Sequence, residues 1–248
     1  MNQVSELTKA PERQVTTLGS LNPNLQAAIR RIPAERDAHT DPLGATRPNA
    51  LFTSQAHYDL EQEKLFRRYP VPVTLSALLA EPGTVIANDG YGVPLLITRA
   101  RDGVVRAFVN ACQHKGSKII EDCEVHKQGR LSCPYHAWTY ALDGKLVGVA
   151  RADMFKDLDK AERGLKELPA REWGGVVYVQ LDGREPDWSN LSEQVAADFE
   201  SLGIPKAHVY GRKTFDLKAN WKLVLEPFLE GYHVQRLHSA SIGDLFVD

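Results

Sequence analysis

Residues 112–116 read CQHKG and residues 133–138 read CPYHAW, and these two stretches decide how the chain folds around them. Each stretch places one cysteine and one histidine within three positions, so that both side chains fit on one tight loop. Eighteen residues separate His114 from Cys133, which allows the two loops to meet at the tip of a β domain. Two thiolates and two imidazoles on adjoining loops form a metal ligand set.

The pairing of ligand types within each loop bears on which metal group is held. Zinc fingers pair like with like, Cys-x-x-Cys and then His-x₃₋₅-His, whereas each loop here offers one cysteine and one histidine. In a Rieske [2Fe–2S] cluster two cysteines hold one iron and two histidines hold the other. The mixed loops favour the cluster. A zinc site, or four residues without a common role, remain the alternatives. Cys123 and His126 lie between the loops and are predicted to be structural.

The residues around the loops have the texture of a small antiparallel β domain. From Val71 onward, short β-rich runs are separated by turn pairs at Asp89-Gly90, Asp102-Gly103 and Asp143-Gly144, which favour hairpins. A last strand and turn are predicted at Trp173–Gly183.

The flanking segments are predicted to be partly helical. Residues 1–50 carry five prolines (11, 23, 33, 42 and 48) and read as an arm with one short helix near Leu25–Arg31. Amphipathic patterning predicts helices at Asp59–Arg68 and at Trp188–Leu202. Residues 215–238 are predicted to be a short strand that runs into a longer helix.

Composition excludes several functional classes. The 248 residues are 43% hydrophobic and 25% charged, ordinary values for a globular protein with a core. The net charge of −2 argues against a nucleic-acid or anionic-membrane binder. No apolar run is long enough for a membrane helix, and no secretory signal opens the sequence, so we expect a cytoplasmic protein. No GxGxxG fingerprint occurs, so the chain is not expected to bind NAD(P)H itself.

A second group of candidate ligands lies at Glu230, His233 and His238. Glu230 and His233 are three positions apart and share one face of a helix. His238 is five positions from His233, or ~140° away on an ideal helix, so the helix must widen or break before His238 for both imidazoles to bind one ion. Pro227 and Gly231 weaken the helix in this stretch. Two histidines and a carboxylate form the facial triad of O₂-activating ferrous enzymes.

With both groups in view, the chain resembles the Rieske non-haem iron oxygenases, the α (oxygenase) subunits of the ring-hydroxylating family. The first group matches loops of the form Cys-x-His-x-Gly and Cys-Pro-x-His-Gly-Trp, with Ala137 where the family often has glycine. The resemblance implies an α+β fold: an antiparallel β Rieske domain, then a helix-covered antiparallel-sheet catalytic domain. The predicted boundaries are an arm at 1–69, the Rieske domain at 70–184 and the start of the catalytic domain at 185–248.

The resemblance also implies roles for individual residues. Cys112, His114, Cys133 and His136 are implied to hold the [2Fe–2S] cluster. His233 and His238 are implied to be ligands of the mononuclear Fe(II). Glu230 occupies the position of the acid that bridges this iron to the cluster of a neighbouring subunit, where ring-hydroxylating members usually carry Asp. Asn220 is implied to be an accessory residue near the iron, and Glu226 is predicted either to pack or to support the residues that bind the iron.

The expected activity is hydroxylation of an aromatic or other small organic substrate with O₂, as a mono- or dioxygenase. An NAD(P)H-dependent reductase, with or without a ferredoxin, is the expected electron donor, and the resemblance implies a homotrimer. The family's third iron ligand comes far downstream, and neither Asp244 nor Asp248 matches its position, so a truncated catalytic domain is expected. Two rival functions stay open, namely a Rieske electron carrier without catalysis and a zinc-stabilised binding module.

Overall fold

The structure, a computed structural model, describes residues 17–32 and 46–243. The described residues form two compact units. One contains residues 17–22 and 65–210, and the other contains residues 23–32, 46–64 and 211–243. Asp244 and Asp248, the two carboxylates that follow His238 in the sequence, lie outside the described residues.

The first unit is built from antiparallel strands in three sheets. The strands are β1 (Val71–Leu75), β2 (Thr84–Asn88), β3 (Leu95–Arg99), β4 (Val105–Val109), β5 (His126–Lys127), β6 (Leu131–Ser132), β7 (Thr139–Tyr140), β8 (Leu146–Gly148), β9 (Glu167–Leu168), β10 (Ala170–Trp173) and β11 (Val176–Val179). One sheet has the order β1-β11-β10, the second β5-β2-β3-β4-β9 and the third β6-β7-β8.

The five-stranded sheet is buried on both faces, because β2 and β3 are apolar at consecutive positions rather than at alternate ones. Val85, Leu96 and Phe108 point into a core that also contains Cys112 and Cys133. The alternate residues of the same strands point into a second core shared with β1 and β11; they include Ile86, Leu95, Ile97 and Ala107. One face of the five-stranded sheet therefore packs in the same core as the two cysteines.

The predicted Asp143-Gly144 turn supports this first core. Gly144 has φ +85°, and a Cβ atom there would lie 2.4 Å from the ring of Phe108. Only glycine combines the left-handed conformation with this close approach to a buried ring. The predicted turn is thus fixed by packing as well as by backbone preference.

Helices in the first unit are shorter than the sequence predicted. The predicted helix at Trp188–Leu202 is a 3₁₀ turn at Trp188–Asn190 followed by α4 at Glu193–Ser201. Asp187 caps the short turn by accepting the amide of Ser189 at 3.0 Å, and the chain then leaves helical geometry at Leu191 and Ser192.

The second unit contains the helices α1 (Pro23–Arg30), α2 (Ala50–Thr53), α3 (Gln55–Glu61), α5 (Trp221–Leu225) and α6 (Val234–Leu237). The helix predicted at Asp59–Arg68 begins earlier, because Ser54 caps α3, and it continues as a π-helical turn at Gln62–Phe66. Glu61 joins the two chain segments of this unit, since its carboxylate accepts the indole N–H of Trp221 at 2.8 Å and pairs with Lys222.

The strand and the long helix predicted at 215–238 were wrong in detail. No strand forms within residues 211–219, where the exposed Phe215 and Leu217 have no paired strand beside them. The helix divides into α5, a 3₁₀ turn at Glu226–Leu229 that contains Pro227, and α6. Glu230 is extended, with φ −139° and ψ 155°. No helix in the described ranges is long and apolar enough to cross a membrane.

The α+β class is confirmed, with an antiparallel β domain followed by a helical segment.

Candidate metal centres

The second ligand loop is carried on a β-hairpin. Strands β6 and β7 pair directly before and after it, through Leu131–Tyr140 and Ser132–Thr139. The loop then closes on itself, because the Cys133 amide donates to the Trp138 carbonyl at 2.8 Å and the Ala137 amide donates to the Cys133 carbonyl at 2.9 Å. These bonds fix the backbone on either side of His136.

The first ligand loop follows β4 and has a different support. The Cys112 amide donates to the Ser117 carbonyl at 2.9 Å, and the Gly116 amide donates to the Cys112 carbonyl at 2.8 Å. No strand follows until β5 at His126, so no hairpin holds the exit of this loop.

The two loops bring their four predicted ligands together. Cys112 and Cys133 are each 3% exposed and belong to the same buried cluster. The rings of His114 and His136 are 4.7 Å apart between centroids. The sulfur atoms point into the core, whereas His136 is exposed and His114 is half-buried. A group held here would have thiolates on its buried side and imidazoles at the surface.

His114 carries the observation that a metal group fits this place. Its ring stacks on Trp138 at 4.8 Å and 8°, and Phe155 meets it edge-on at 6.0 Å. The Nδ1 atom is buried and has no hydrogen-bond partner among the residues that the structure describes. Buried polar atoms are nearly always paired, so an orphaned imidazole nitrogen beside two buried thiols matches a missing metal bond.

The pKa shifts of two predicted ligands, Cys133 and His114, favour their uncharged forms. Burial raises the pKa of the Cys133 thiol. Burial, together with nearby His136 and Lys115, lowers the pKa of His114 and so favours its neutral form. Metal ligation requires a thiolate and a neutral imidazole, so the histidine is already suited to bind and the cysteine loses its proton on binding.

The number of side chains grouped around one point bears on which metal group the ligands could hold. Within residues 17–32 and 46–243, no three His, Cys, Asp or Glu side chains are grouped so as to hold a single ion. A Rieske cluster requires no such group, because each of its irons takes two protein ligands. The division into two buried thiols and two imidazoles nearer the surface fits a cluster in which two cysteines hold one iron and two histidines hold the other.

Tyr140 is a residue of this site that the sequence did not single out. It is fully buried, and its hydroxyl oxygen lies 3.2 Å from Cys112 Sγ and accepts the Gln113 amide at 3.0 Å. Because the oxygen already accepts from Gln113, its O–H is free to donate to a Cys112 thiolate. Burial and the nearby cysteine raise the pKa of Tyr140, so it keeps this proton.

We expect Tyr140→Phe to lower the reduction potential of the cluster. A hydrogen bond to a thiolate stabilises the more negative reduced state, and a differential of about 1–1.5 kcal/mol corresponds to roughly 45–65 mV for one electron. Redox titration followed by EPR measures the shift. Tyr135→Phe is the matched control, because Tyr135 is 61% exposed and stacks on His136 by its ring alone. An equal shift in both variants would contradict the assigned role of the hydroxyl.

Ala137 occupies a backbone conformation that suits glycine. Its φ is +54°, in the left-handed region where an L side chain costs about 1–2 kcal/mol. Ala137→Gly removes this cost but increases the freedom of the unfolded chain by about 0.4–1 kcal/mol. We therefore expect a net stabilisation of about 0.5–1 kcal/mol, measured by urea unfolding. Ala141→Gly, at ordinary backbone angles, should instead be neutral or destabilising.

The second group of predicted ligands also converges. His233 is the N-cap and His238 the C-cap of α6, so His238 has already left helical geometry (φ −108°, ψ 22°). Their rings are 5.5 Å apart between centroids. With metal–nitrogen bonds of about 2.1 Å, two imidazoles on adjacent positions of one ion have centroids roughly 4.5–5.5 Å apart. The pair is therefore close to the separation that a shared ion requires.

Glu230 supports one member of this pair. Its carboxylate contacts Nδ1 of His233 and accepts the His233 amide at 3.2 Å. The contact orients the ring and leaves Nε2 as the nitrogen available to a metal. Although desolvation opposes it, the hydrogen bonds from His233 lower the pKa of Glu230, which keeps the acid ionised.

The other residues considered from the sequence have structural positions. The Asn220 side chain accepts the Lys222 amide at 3.1 Å and caps α5. Cys123 is exposed, and His126 Nε2 lies 2.7 Å from Asp122 Oδ1. Neither Cys123 nor His126 is assigned to the ligand set.

Comparison with known proteins matches each group of ligands to a domain family. The family description "Rieske [2Fe-2S] domain" matches residues 70–159, and "Ring hydroxylating alpha subunit (catalytic domain)" matches residues 204–246. The two matches occur in the predicted order and contain the two groups of ligands.

Curated relatives and a solved structure agree with these matches. The carnitine monooxygenase oxygenase subunit of Acinetobacter pittii is 28% identical over 229 residues, which are 90% of this chain and 60% of the relative. Choline monooxygenase, chloroplastic, of Spinacia oleracea is 30% identical over 247 residues, 96% of this chain and 54% of the relative. A quaternary ammonium Rieske monooxygenase with L-carnitine aligns with TM-score 0.71 and 28% identity, covering 82% of this chain and 58% of that chain.

The chain thus spans between one half and two thirds of the length of these relatives. A complete Cys/His loop pair, a following histidine pair and matches to both domain families point to one conclusion. Over both matched segments the chain is similar to the α (oxygenase) subunits of the Rieske non-haem iron oxygenases.

Proposed function

We propose that this chain acts as part of the oxygenase component of a Rieske system that hydroxylates a small organic substrate with O₂. The observation that carries the proposal is the presence, on one chain, of the Cys112/His114/Cys133/His136 loops and of the His233/His238 pair backed by Glu230. An electron carrier without catalysis would need only the first of these.

The domain organisation proposed for this role is an arm at 1–69, the Rieske domain at 70–184 and the start of the catalytic domain at 185–248. The loop residues would hold a [2Fe–2S] cluster, and His233 and His238 would contribute two ligands to a mononuclear Fe(II). When bound, the cluster supplies single electrons and the ferrous ion supplies O₂ activation.

The protein's own residues set the conditions for this chemistry. The buried cysteines exclude water from one side of the cluster site. The histidines lie nearer the surface, where electrons can pass between the cluster and a partner. Glu230 holds His233 in the tautomer that presents Nε2. In the proposed homotrimer, Glu230 also accepts a hydrogen bond from a ligand histidine of a neighbouring copy. Asn220, which caps α5, is proposed to be an accessory residue of the iron site.

We propose a quaternary ammonium compound as the substrate and monooxygenation as the reaction. The carnitine and choline monooxygenases among the relatives support this class over an aromatic ring. Glu230 supports it too, because ring-hydroxylating members usually carry Asp at that position. An NAD(P)H-dependent reductase, with or without a ferredoxin, is the proposed electron donor.

EPR spectroscopy of anaerobic, dithionite-reduced protein with nitric oxide tests the metal assignment. A rhombic Rieske signal together with a spin-3/2 ferrous–nitrosyl signal is the expected result. A Rieske signal alone would favour the electron carrier, and neither signal after reconstitution with iron and sulfide would overturn the proposal.

Substrate class is tested on the same sample. Choline and L-carnitine should change the line shape of the ferrous–nitrosyl signal, and naphthalene should not. A change with naphthalene but not with choline or L-carnitine would favour an aromatic substrate instead.

A further inference from the structure

Asn110 is a buried polar residue that the proposed function does not yet use. It is the first residue after β4, two positions before Cys112, and it is 1% exposed. Burial of a carboxamide is costly unless its hydrogen bonds are made, so the partners of this side chain show what it does.

All of its partners lie on the far side of the first ligand loop. Its Nδ2 donates to the Ile120 carbonyl at 2.7 Å, and its Oδ1 accepts the amides of Ile119 at 2.9 Å and Ile120 at 3.4 Å. One side chain thus joins the entrance of the loop to its exit. It makes the donor and acceptor pairs that a neighbouring strand would make.

The two ligand loops differ in the support that the backbone gives them. Strands β6 and β7 pair across the base of the second loop. Residues 111–125 contain no strand, so the exit of the first loop has no such pairing. The carboxamide of Asn110 makes its hydrogen bonds at the base of the first loop, where no strand pair is present.

We propose that Asn110 is a positioning residue of the cluster, which closes the Cys112–His114 loop in place of strand pairing. Each iron of a Rieske cluster takes one ligand from each loop, so loosening the first loop weakens the hold on both irons. The inference rests on the proposed role of these loops as the cluster site, and the tests below separate the two.

Hydrogen exchange on the unmodified chain tests the closure directly. We expect the Ile119 amide to exchange at least ~10-fold more slowly than that of Glu121, although neither lies in a strand. Exchange of Ile119 as fast as Glu121 would overturn the proposal without any substitution.

Asn110→Leu tests the consequence for the cluster, since leucine is similar in size and makes no hydrogen bond. The matched control is Thr98→Val. Thr98 is fully buried and donates to the Leu142 carbonyl at 2.8 Å, away from both ligand loops. We expect Asn110→Leu to shorten the half-time of cluster loss to an iron chelator at least ~10-fold, in the range seen for residues that orient metal ligands, with broader EPR lines. Thr98→Val should keep the half-time and line width of the unmodified protein.

Asn110→Asp is the rescue variant, because its carboxyl oxygen still accepts the Ile119 amide. It should recover part of the half-time. Asn110→Leu with an unchanged half-time and unchanged EPR lines would overturn the proposal. A missing Rieske signal in the unmodified protein would instead refute the proposed function, while the exchange result for Ile119 would still stand or fall separately.

Discussion

Replacing Cys133 with serine is expected to abolish cluster binding. Cys133 is 3% exposed, makes two backbone hydrogen bonds within the second ligand loop and shares a buried cluster with Cys112. A serine hydroxyl is not deprotonated near neutral pH, whereas iron–sulfur clusters are held by thiolates. Iron and acid-labile sulfide per chain should fall to about a tenth or less of the unmodified content, and the Rieske EPR signal should disappear.

The matched control for this substitution is Cys123→Ser. Cys123 lies between the two ligand loops in sequence and is exposed. It should keep full iron, sulfide and EPR intensity. Cluster loss in Cys123→Ser would show that the ligand set is wrong, and zinc in place of iron in the purified protein would restore the zinc alternative.

Loss of the cluster is also expected to destabilise the first unit. A group that binds only the folded state stabilises it by mass action. Cys112 and Cys133 belong to the same core as Phe108 and Tyr140, so that core should loosen when the cluster is absent. The melting temperature of Cys133→Ser should therefore lie below that of Cys123→Ser.

The ligand loops could be predicted from the sequence because their chemistry is local. Cys112 and His114, or Cys133 and His136, are close along the chain, and short loops keep such pairs together whatever surrounds them. The turn at Asp143-Gly144 was predictable for the same reason. Local spacing was therefore sufficient to predict the four candidate ligands of the Rieske site.

The supporting residues could not be predicted, because their partners are set by tertiary structure. Tyr140 reaches Cys112 across 28 positions, and Asn110 reaches Ile120 across ten. The sequence pattern marks Tyr140 only as an aromatic residue after a β-type run. A hydroxyl partner can be recognised only once β7 is placed beside the first loop.

Around the second site, helix propensity and apolar spacing were insufficient to predict where the helix is interrupted. The apolar spacing of residues 221–238 favours one helix, and Pro227 and Gly231 predict that it is interrupted. The structure ends α5 at Leu225, continues as a 3₁₀ turn at Glu226–Leu229, is extended at Glu230 and resumes as α6 at Val234–Leu237. The interruption could be anticipated, but the residues at which the helix stops and restarts could not be read from the sequence pattern alone.

Glu230→Gln is expected to uncouple the two metal sites while leaving both metals in place. Glutamine is similar in size and still reaches His233, but it is neutral and can present either oxygen or N–H₂ to Nδ1. It therefore no longer fixes the tautomer of His233 or offers a negative charge to a neighbouring ligand histidine. Coupled turnover should fall about 10–100-fold, the usual effect of removing a residue that orients a metal ligand.

The measurement that isolates this effect is a single turnover without reductase. Protein whose cluster is already reduced is mixed with substrate and O₂, and the rate of cluster reoxidation is followed by its absorbance. Glu226→Gln is the matched control, because Glu226 is also exposed and lies four residues earlier, in the 3₁₀ turn before Glu230. We expect reoxidation to slow only in Glu230→Gln, with Rieske and ferrous–nitrosyl signals at full intensity in both variants. Full coupled turnover in Glu230→Gln would remove the bridging role, and loss of the ferrous–nitrosyl signal would mean that Glu230 serves iron binding itself.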